Sequence, residues 1–271
     1  MKFSILMSIY IKEEASNFDM SMKSIWDNQI LKPNDIVLVE DGPLTKELYH
    51  MINKWKLKLG DIFQVISLKK NLGLGDALNI GIKHCKFNVI ARMDTDDISL
   101  PNRFKEQIEI MKNNDIDVCG SWVSEFSNNE NEIISYRRVP KRHDEIVKFS
   151  KKRCPVNHPS IIYKKNIVEK SGGYIKMLWF EDYYLWARMI MHGAKFYNIQ
   201  KPLVNMRAGY GQLQRRSGIK YAKSELVLLI EFKSIKFITT YQLLMNILIR
   251  FSIRIIPKFL IRYVYTLIRN F

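Results

Sequence analysis

The residues best placed to do chemistry in this sequence are acidic. Met93-Asp94-Thr95-Asp96-Asp97 sets three carboxylates within four residues, directly after Ile90-Ala91-Arg92-Met93. Carboxylates this close repel one another unless a cation or solvent compensates. All-oxygen donors suit a hard divalent ion, Mg2+ or Mn2+, which one or two carboxylates hold and substrate phosphates complete. Most acidic triplets in loops are helix caps or solvated turns. This one differs by following a strand-like run. A second acidic pair lies in Phe180-Glu181-Asp182-Tyr183, between aromatic residues. Apolar neighbours raise a carboxylate's pKa and make it a better base near neutral pH. A helix start, where acids complement the dipole, accounts for the same pattern. The third candidate is Asn71-Leu72-Gly73-Leu74-Gly75. It lacks the spacing of a dinucleotide fingerprint or a P-loop. Its glycines either close a tight strand-to-helix connection or let backbone approach a nucleotide.

The elements around these residues predict how they are positioned. Phe3 to Tyr10, Asp35 to Glu40, Phe63 to Leu68 and Asn88 to Met93 read as strands. Between them, Phe18, Met22, Ile25 and Trp26, then Leu48, Ile52, Trp55 and Leu59, then Leu74 to Cys85 recur at helical spacing. Asp41-Gly42-Pro43 marks a turn, and Pro101 sits where a further helix would begin. Repeated strand–helix units predict an α/β fold, a mostly parallel sheet with helices on both faces. Such sheets bind ligands at the carboxyl ends of their strands, where Asp41 and Asp94 to Asp97 fall. Beyond about residue 120 the pattern loosens, and from about 220 it becomes apolar and helical.

The chain has 271 residues, 47% of them hydrophobic, which supports a sizeable core and argues against disorder. The net charge of +16 asks for a polyanionic partner or a solvated basic surface. Cys85, Cys119 and Cys154 form no metal-binding or disulfide pattern, and they fit a reducing compartment. The apolar start is short, lacks a small-residue cleavage site and runs into Lys12-Glu13-Glu14, so it reads as a buried strand rather than a signal peptide.

Taken in order, these pieces resemble bacterial glycosyltransferase family 2, with its GT-A fold. The resemblance rests on Ser4 to Tyr10, Ile36-Val37-Leu38-Val39-Glu40-Asp41-Gly42, Asn71 to Asn79, Ala91-Arg92-Met93-Asp94-Thr95-Asp96-Asp97, His158-Pro159-Ser160 and Glu181-Asp182-Tyr183-Tyr184-Leu185-Trp186. Within the family the sequence is most similar to enzymes of O-antigen and exopolysaccharide assembly, the amylovoran type among them. The resemblance implies a donor site of Ser8, Tyr10, Asp41, Asn71, Gly73 and Asp94, with Tyr10 and Asp41 at the uracil end. It implies Asp96, helped by Asp94, as ligands of Mn2+ or Mg2+. Asp182 would be the catalytic base, Glu181 would orient the acceptor, and His158 and Arg207 would line the acceptor or diphosphate side. It assigns 1–120 to the nucleotide-sugar half and 121–218 to the acceptor half of one GT-A domain. Two departures stand out. Ile11 replaces the usual Asn, and Gln212-Leu213-Gln214-Arg215-Arg216 lacks the Trp of the processive enzymes' QxxRW motif, which favours addition of a single sugar.

Residues 219–271 are expected to form a basic amphipathic helical tail. From residue 220 onward the chain carries a net +7, and its longest charge-free stretch, Phe237 to Ile249, has thirteen residues. That is short of the about 20 needed to cross a bilayer. Arg250, Arg254, Lys258 and Arg262, four apart, would line one helical face above an apolar one, as in helices that lie on anionic lipid. The combined expectation is an inverting transfer of a sugar, galactose by preference, from a UDP-sugar to a polyprenyl-diphosphate-linked saccharide. It would occur at the cytoplasmic face of the bacterial inner membrane. The charge by itself also suits a nucleic-acid-binding protein, but no nucleic-acid-binding motif is present, so no nucleic-acid partner is expected. A sugar-nucleotidyltransferase would share the metal carboxylates, but it needs an N-terminal phosphate loop that Ile9 to Glu13 does not provide.

Overall fold

The computed structural model describes residues 1–113, 115–127, 129–208 and 218–255. The chain forms two compact units, one of residues 1–176 and 181–209, the other of 177–180 and 210–271.

The first unit is built on one mixed sheet of nine strands. In its first half, β1 (Ser4–Ile9), β2 (Asp35–Glu40), β3 (Phe63–Ser67) and β4 (Val89–Arg92) alternate with α1 (Ala15–Ile25), α2 (Lys46–Leu59) and α3 (Leu74–His84). These strands run parallel in the order β3-β2-β1-β4, with Ile5 beside Ile36 and Ala91. The alternation follows from the sequence. Ile5, Met7, Ile36 and Leu38 point to one face, under Phe18, Met22, Leu48 and Trp55 of α1 and α2. Leu6, Val37 and Val39 point to the other, under Ala77, Leu78 and Ile82 of α3. With both faces covered, β2 is buried at every residue, as in parallel sheets generally.

The second half departs from this regularity. β5 (Ile98–Ser99), α4 (Arg103–Asn113), β6 (Val118–Phe126) and β7 (Ile133–Arg137) follow, then α5 (His143–Ser150), β8 (Ile162–Lys164), α6 (Lys165–Lys170), α7 (Glu181–Met191) and β9 (Phe196–Arg207). β8 joins β4 antiparallel, β6 and β9 pair parallel, and β5 pairs antiparallel with β9. Residue 120, expected near a boundary, lies within β6, so both halves share one sheet. The helix expected at Pro101 starts at Arg103.

The second unit contains α8 (Ile219–Ser234) and α9 (Thr240–Ile255). Trp179 stacks on Tyr221 with ring centroids 5.3 Å apart. Of the expected basic stripe, only the Arg250 side chain lies among the described ones. Arg250 lies over α8, ion-paired to the buried Glu225 at 2.6 Å, and does not face solvent as part of a cationic stripe. Among the described side chains of α9, Tyr241, Leu244 and Leu248 are each more than half exposed. Lys258, Arg262 and the QxxRW-like Gln212 to Arg216 lie outside the described residues. Among the described residues no helix is long and apolar enough to cross a membrane.

Candidate active site

The acidic turn leaves the sheet where β4 ends. Met93 N–H still donates to Leu6 O, and the turn then closes into β5. Side chains from four directions fix it. Ser21 Oγ donates to Asp94 O at 2.9 Å, and Thr95 Oγ1 to Glu13 Oε2 at 2.9 Å. Arg207 N–H donates to Asp97 Oδ1 at 2.8 Å, and its Nε to Asp96 O at 3.3 Å. Arg92, 1% exposed, forms an ion pair with Asp94.

The electrostatics of the turn are those of crowded carboxylates. Burial, then the charges of Asp94 and Glu13, push the Asp96 carboxyl up to about 7. Burial and its acidic neighbours hold Asp97 well above the usual carboxylate range. No Lys or Arg among the described residues forms an ion pair with Asp96, and Asp97 Oδ2, buried, has no hydrogen-bond partner. Among the described residues no three His, Cys, Asp or Glu side chains cluster as a protein-only metal cage. A hard divalent ion shared with phosphates needs only one or two carboxylates. The carboxylate oxygens of Asp96 and Asp94 are donors of the kind such an ion would take, and Asp94 is also paired with Arg92.

The other expected donor-side residues lie on the neighbouring strand ends. Ser8 is half-buried near the end of β1, and Tyr10 is 40% exposed just past it. Ile9 pairs with Glu40, which puts Asp41 beside them. Asp41 has a structural task. Its Oδ1 accepts from Leu72 N–H at 2.6 Å and its Oδ2 from Gly73 N–H at 3.0 Å, while Asn71 Nδ2 donates to Asp41 O at 3.1 Å. The Asn71–Gly75 loop is therefore moored to the end of β2. Gly42 permits this: a Cβ there would stand 2.7 Å from Asn71 N, and its φ of +92° favours glycine.

Of the residues expected on the acceptor side, Glu181 and His158 lie around α7, whereas Arg207 ends β9 at the acidic turn. Asp182 Oδ1 accepts from Tyr183 N–H at 2.7 Å. Burial, then the charge of Asp182, raises Glu181 to about 7. His158 Nε2 lies 3.0 Å from Tyr174 Oη, with Trp186 packed beside both rings. Burial and the positive charge of Arg92 hold the imidazole well below its ordinary pKa, so it is neutral. Asn79 clamps Tyr174 through both backbone groups, at 2.6 and 2.8 Å.

Arg92 is the residue that sequence reading passed over. Its charge acts on Asp94, Asp96 and Asp97 and also on His158 and Glu181. It therefore links the acidic turn electrostatically to His158 and Glu181. Arg103 Nη2, in turn, donates to Arg92 O at 2.7 Å. The available signal was a lone charge in the otherwise apolar run Val89-Ile90-Ala91.

The structure thus combines a mixed α/β sheet, carboxylates at its strand ends and a second acidic pair on a following helix. Residues 4–171 match the profile of glycosyl transferase family 2, and the chain belongs to that family. It is similar, at 37% identity over all of this chain and 98% of the other, to the UDP-Gal:alpha-D-GlcNAc-diphosphoundecaprenol beta-1,3-galactosyltransferase of Escherichia coli. It is 38% identical to the amylovoran biosynthesis glycosyltransferase AmsE of Erwinia amylovora, over 83% of this chain and 84% of that one. In fold it resembles S. aureus TarS, with a TM-score of 0.66 at 17% identity, over 92% of this chain and 43% of the longer TarS. It also resembles a mannosyltransferase of Pyrobaculum calidifontis, solved with GDP-Man and Mn2+ (TM-score 0.64, 13% identity, 85% of this chain and 63% of that one). The fold is GT-A, and the protein is a glycosyltransferase.

Proposed function

We propose that the protein transfers one sugar, with galactose the best candidate, from a UDP-sugar to a polyprenyl-diphosphate-linked saccharide, with inversion. The observation that carries this reading is that two acidic groups both feel the charge of one buried arginine, Arg92. The Asp94–Asp97 turn suits a cation and a diphosphate, and the Glu181–Asp182 pair suits a hydroxyl. The galactosyltransferase named above, which matches this chain end to end, supports the choice of donor and acceptor.

Ser8, Tyr10, Asp41, Asn71 and Gly73 would form the nucleotide side. Asp96 and Asp94 would hold Mn2+ or Mg2+, which when bound neutralises charge on the departing diphosphate. Asp182 accepts the proton of an acceptor hydroxyl. The oxygen attacks the anomeric carbon from the face opposite the diphosphate, and the bond to the diphosphate oxygen breaks with its electron pair. One displacement inverts the centre. Glu181, raised to about 7 by burial and Asp182, can in its protonated form donate a hydrogen bond to the acceptor. Neutral His158 and Arg207 line the acceptor and diphosphate side. Residues 219–271 would keep the enzyme at the cytoplasmic face of the membrane.

The test is UDP binding by thermal shift, with and without Mn2+, on wild type and Asp96→Ala. Ligand at a hundred times its dissociation constant adds about 2.7 kcal/mol of stability. The expected result is a metal-dependent rise in Tm that the variant lacks. Absence of a shift with UDP, GDP or dTDP on folded protein would overturn the reading.

A further inference from the structure

The segment 138–153 carries exposed positive charge, of which Arg138 lies over the Trp122 ring at 5.3 Å. Arg138, Lys141, Arg142, Lys148, Lys152 and Arg153 are exposed, against two exposed acids, Asp144 and Glu145. Lys148 and Arg153 sit at the carboxyl end of α5, where bases complement the dipole. Arg138, Lys141 and Arg142 precede its amino end, where the dipole disfavours them. Among the described residues, none of these three forms an ion pair.

The backbone that displays them is fixed. Trp122 Nε1 donates to Val139 O at 3.1 Å, Asn198 Nδ2 to Pro140 O at 2.7 Å and Asn198 N–H to Lys141 O at 3.0 Å. Both ends of the segment are tied to acceptor-side elements. Asn157 Nδ2, next to His158, donates to Arg137 O at 3.3 Å, and Tyr183 Oη, next to Asp182, donates to Ser150 O at 2.7 Å. Upstream, Ile134 and Tyr136 alternate with Arg138 along an extended run, and they are 61% and 50% exposed. Bases beside exposed apolar side chains match the headgroup and interface layers of an anionic bilayer.

We propose that this segment is a membrane-docking face, its bases on headgroup phosphates and Ile134 and Tyr136 in the interface. The inference rests on the reading that His158 and Asp182 face the acceptor. It adds that the catalytic unit itself, and not only the C-terminal residues, meets the lipid, with its acceptor side. A nucleic acid would use the same charges but leave Ile134 without a role.

The experiment is sedimentation of the full chain with phosphatidylglycerol–phosphatidylethanolamine vesicles, with phosphatidylcholine vesicles and free inorganic phosphate as controls. Each base near an anionic surface contributes roughly fivefold in affinity. Lys141→Glu with Arg142→Glu should therefore weaken anionic-vesicle binding by at least about 25-fold. Ile134→Ser with Tyr136→Ser should weaken it too. Neither pair should change Tm or the UDP–Mn2+ shift. Anionic-vesicle binding unchanged by charge reversal would overturn the proposal, as would full competition by millimolar phosphate or tighter binding to single-stranded DNA. If wild type shows no UDP shift but charge reversal still abolishes vesicle binding, the docking face stands and the donor reading falls.

Discussion

Replacing Glu181 by Gln tests the electrostatics of the Glu181–Asp182 pair without asking for activity. In the folded protein this carboxyl titrates at about 7, against 4.5 for an ordinary glutamate, because burial and then Asp182 disfavour its charged form. A carboxyl whose folded pKa is raised imposes no cost below its unfolded pKa, where both states are protonated. Ionisation destabilises the fold progressively as pH rises through the interval, and the full cost is present above about 7. The interval corresponds to at most about 3 kcal/mol. Glu181 is only half-buried, so solvent screening reduces the expected cost to about 1–2 kcal/mol. Glu181→Gln is nearly isosteric and cannot ionise. The variant should match wild type at pH 4.5 and exceed it in stability at pH 8.5, by roughly 2–8 °C in Tm for a chain of this size. Thermal unfolding across this pH range, without ligand or metal, measures the difference directly. A difference that does not vary with pH, or a variant less stable than wild type at pH 8.5, refutes the burial argument.

Asp182→Asn should lower kcat by about 10²- to 10⁴-fold, the usual contribution of a general base, and leave the UDP–Mn2+ thermal shift intact. Loss of the shift would instead assign Asp182 to the donor site. Arg92→Met removes the cation that pulls Asp96 and Glu181 downward, so the acid limb of the kcat/KM–pH profile should move to higher pH. An unmoved limb would make Arg92 a packing residue. Gly42→Ala forces a Cβ to 2.7 Å from Asn71 N at a φ of +92°, and it should cost about 1–3 kcal/mol in urea unfolding while weakening UDP binding. Wild-type UDP affinity in that variant would separate the Asn71–Gly75 loop from the donor site.

The first half of the sheet was legible in the sequence because its signals are local. Buried parallel strands must be almost wholly apolar, so Asp35 to Glu40 and its neighbours announce themselves, and α1 to α3 repeat at the helical period between them. The second half was less legible because β6, β8 and β9 pair across long separations, and spacing carries no record of such pairing. Site residues divide along the same line. Asp94 to Asp97 and Glu181-Asp182 were visible as short acidic motifs. Arg92 read as a strand residue, because its charge reaches His158 and Glu181 only once β4, the His158–Ser160 turn and α7 are assembled. Arg250 fitted a basic stripe by period, yet it is Glu225, 25 residues earlier on α8, that holds its charge.

The sequence by itself determined the alternation of strands and helices, the placing of carboxylates at strand ends and the family, since each depends on residue type at short, fixed spacing. Only the tertiary structure decided which charges meet. It brought the charge of Arg92 to bear on both acidic groups, turned Asp41 to the Leu72 and Gly73 amides and raised Glu181 to about 7. Burial and Coulomb interactions depend on distance in space, and folding brings together residues that the chain holds far apart.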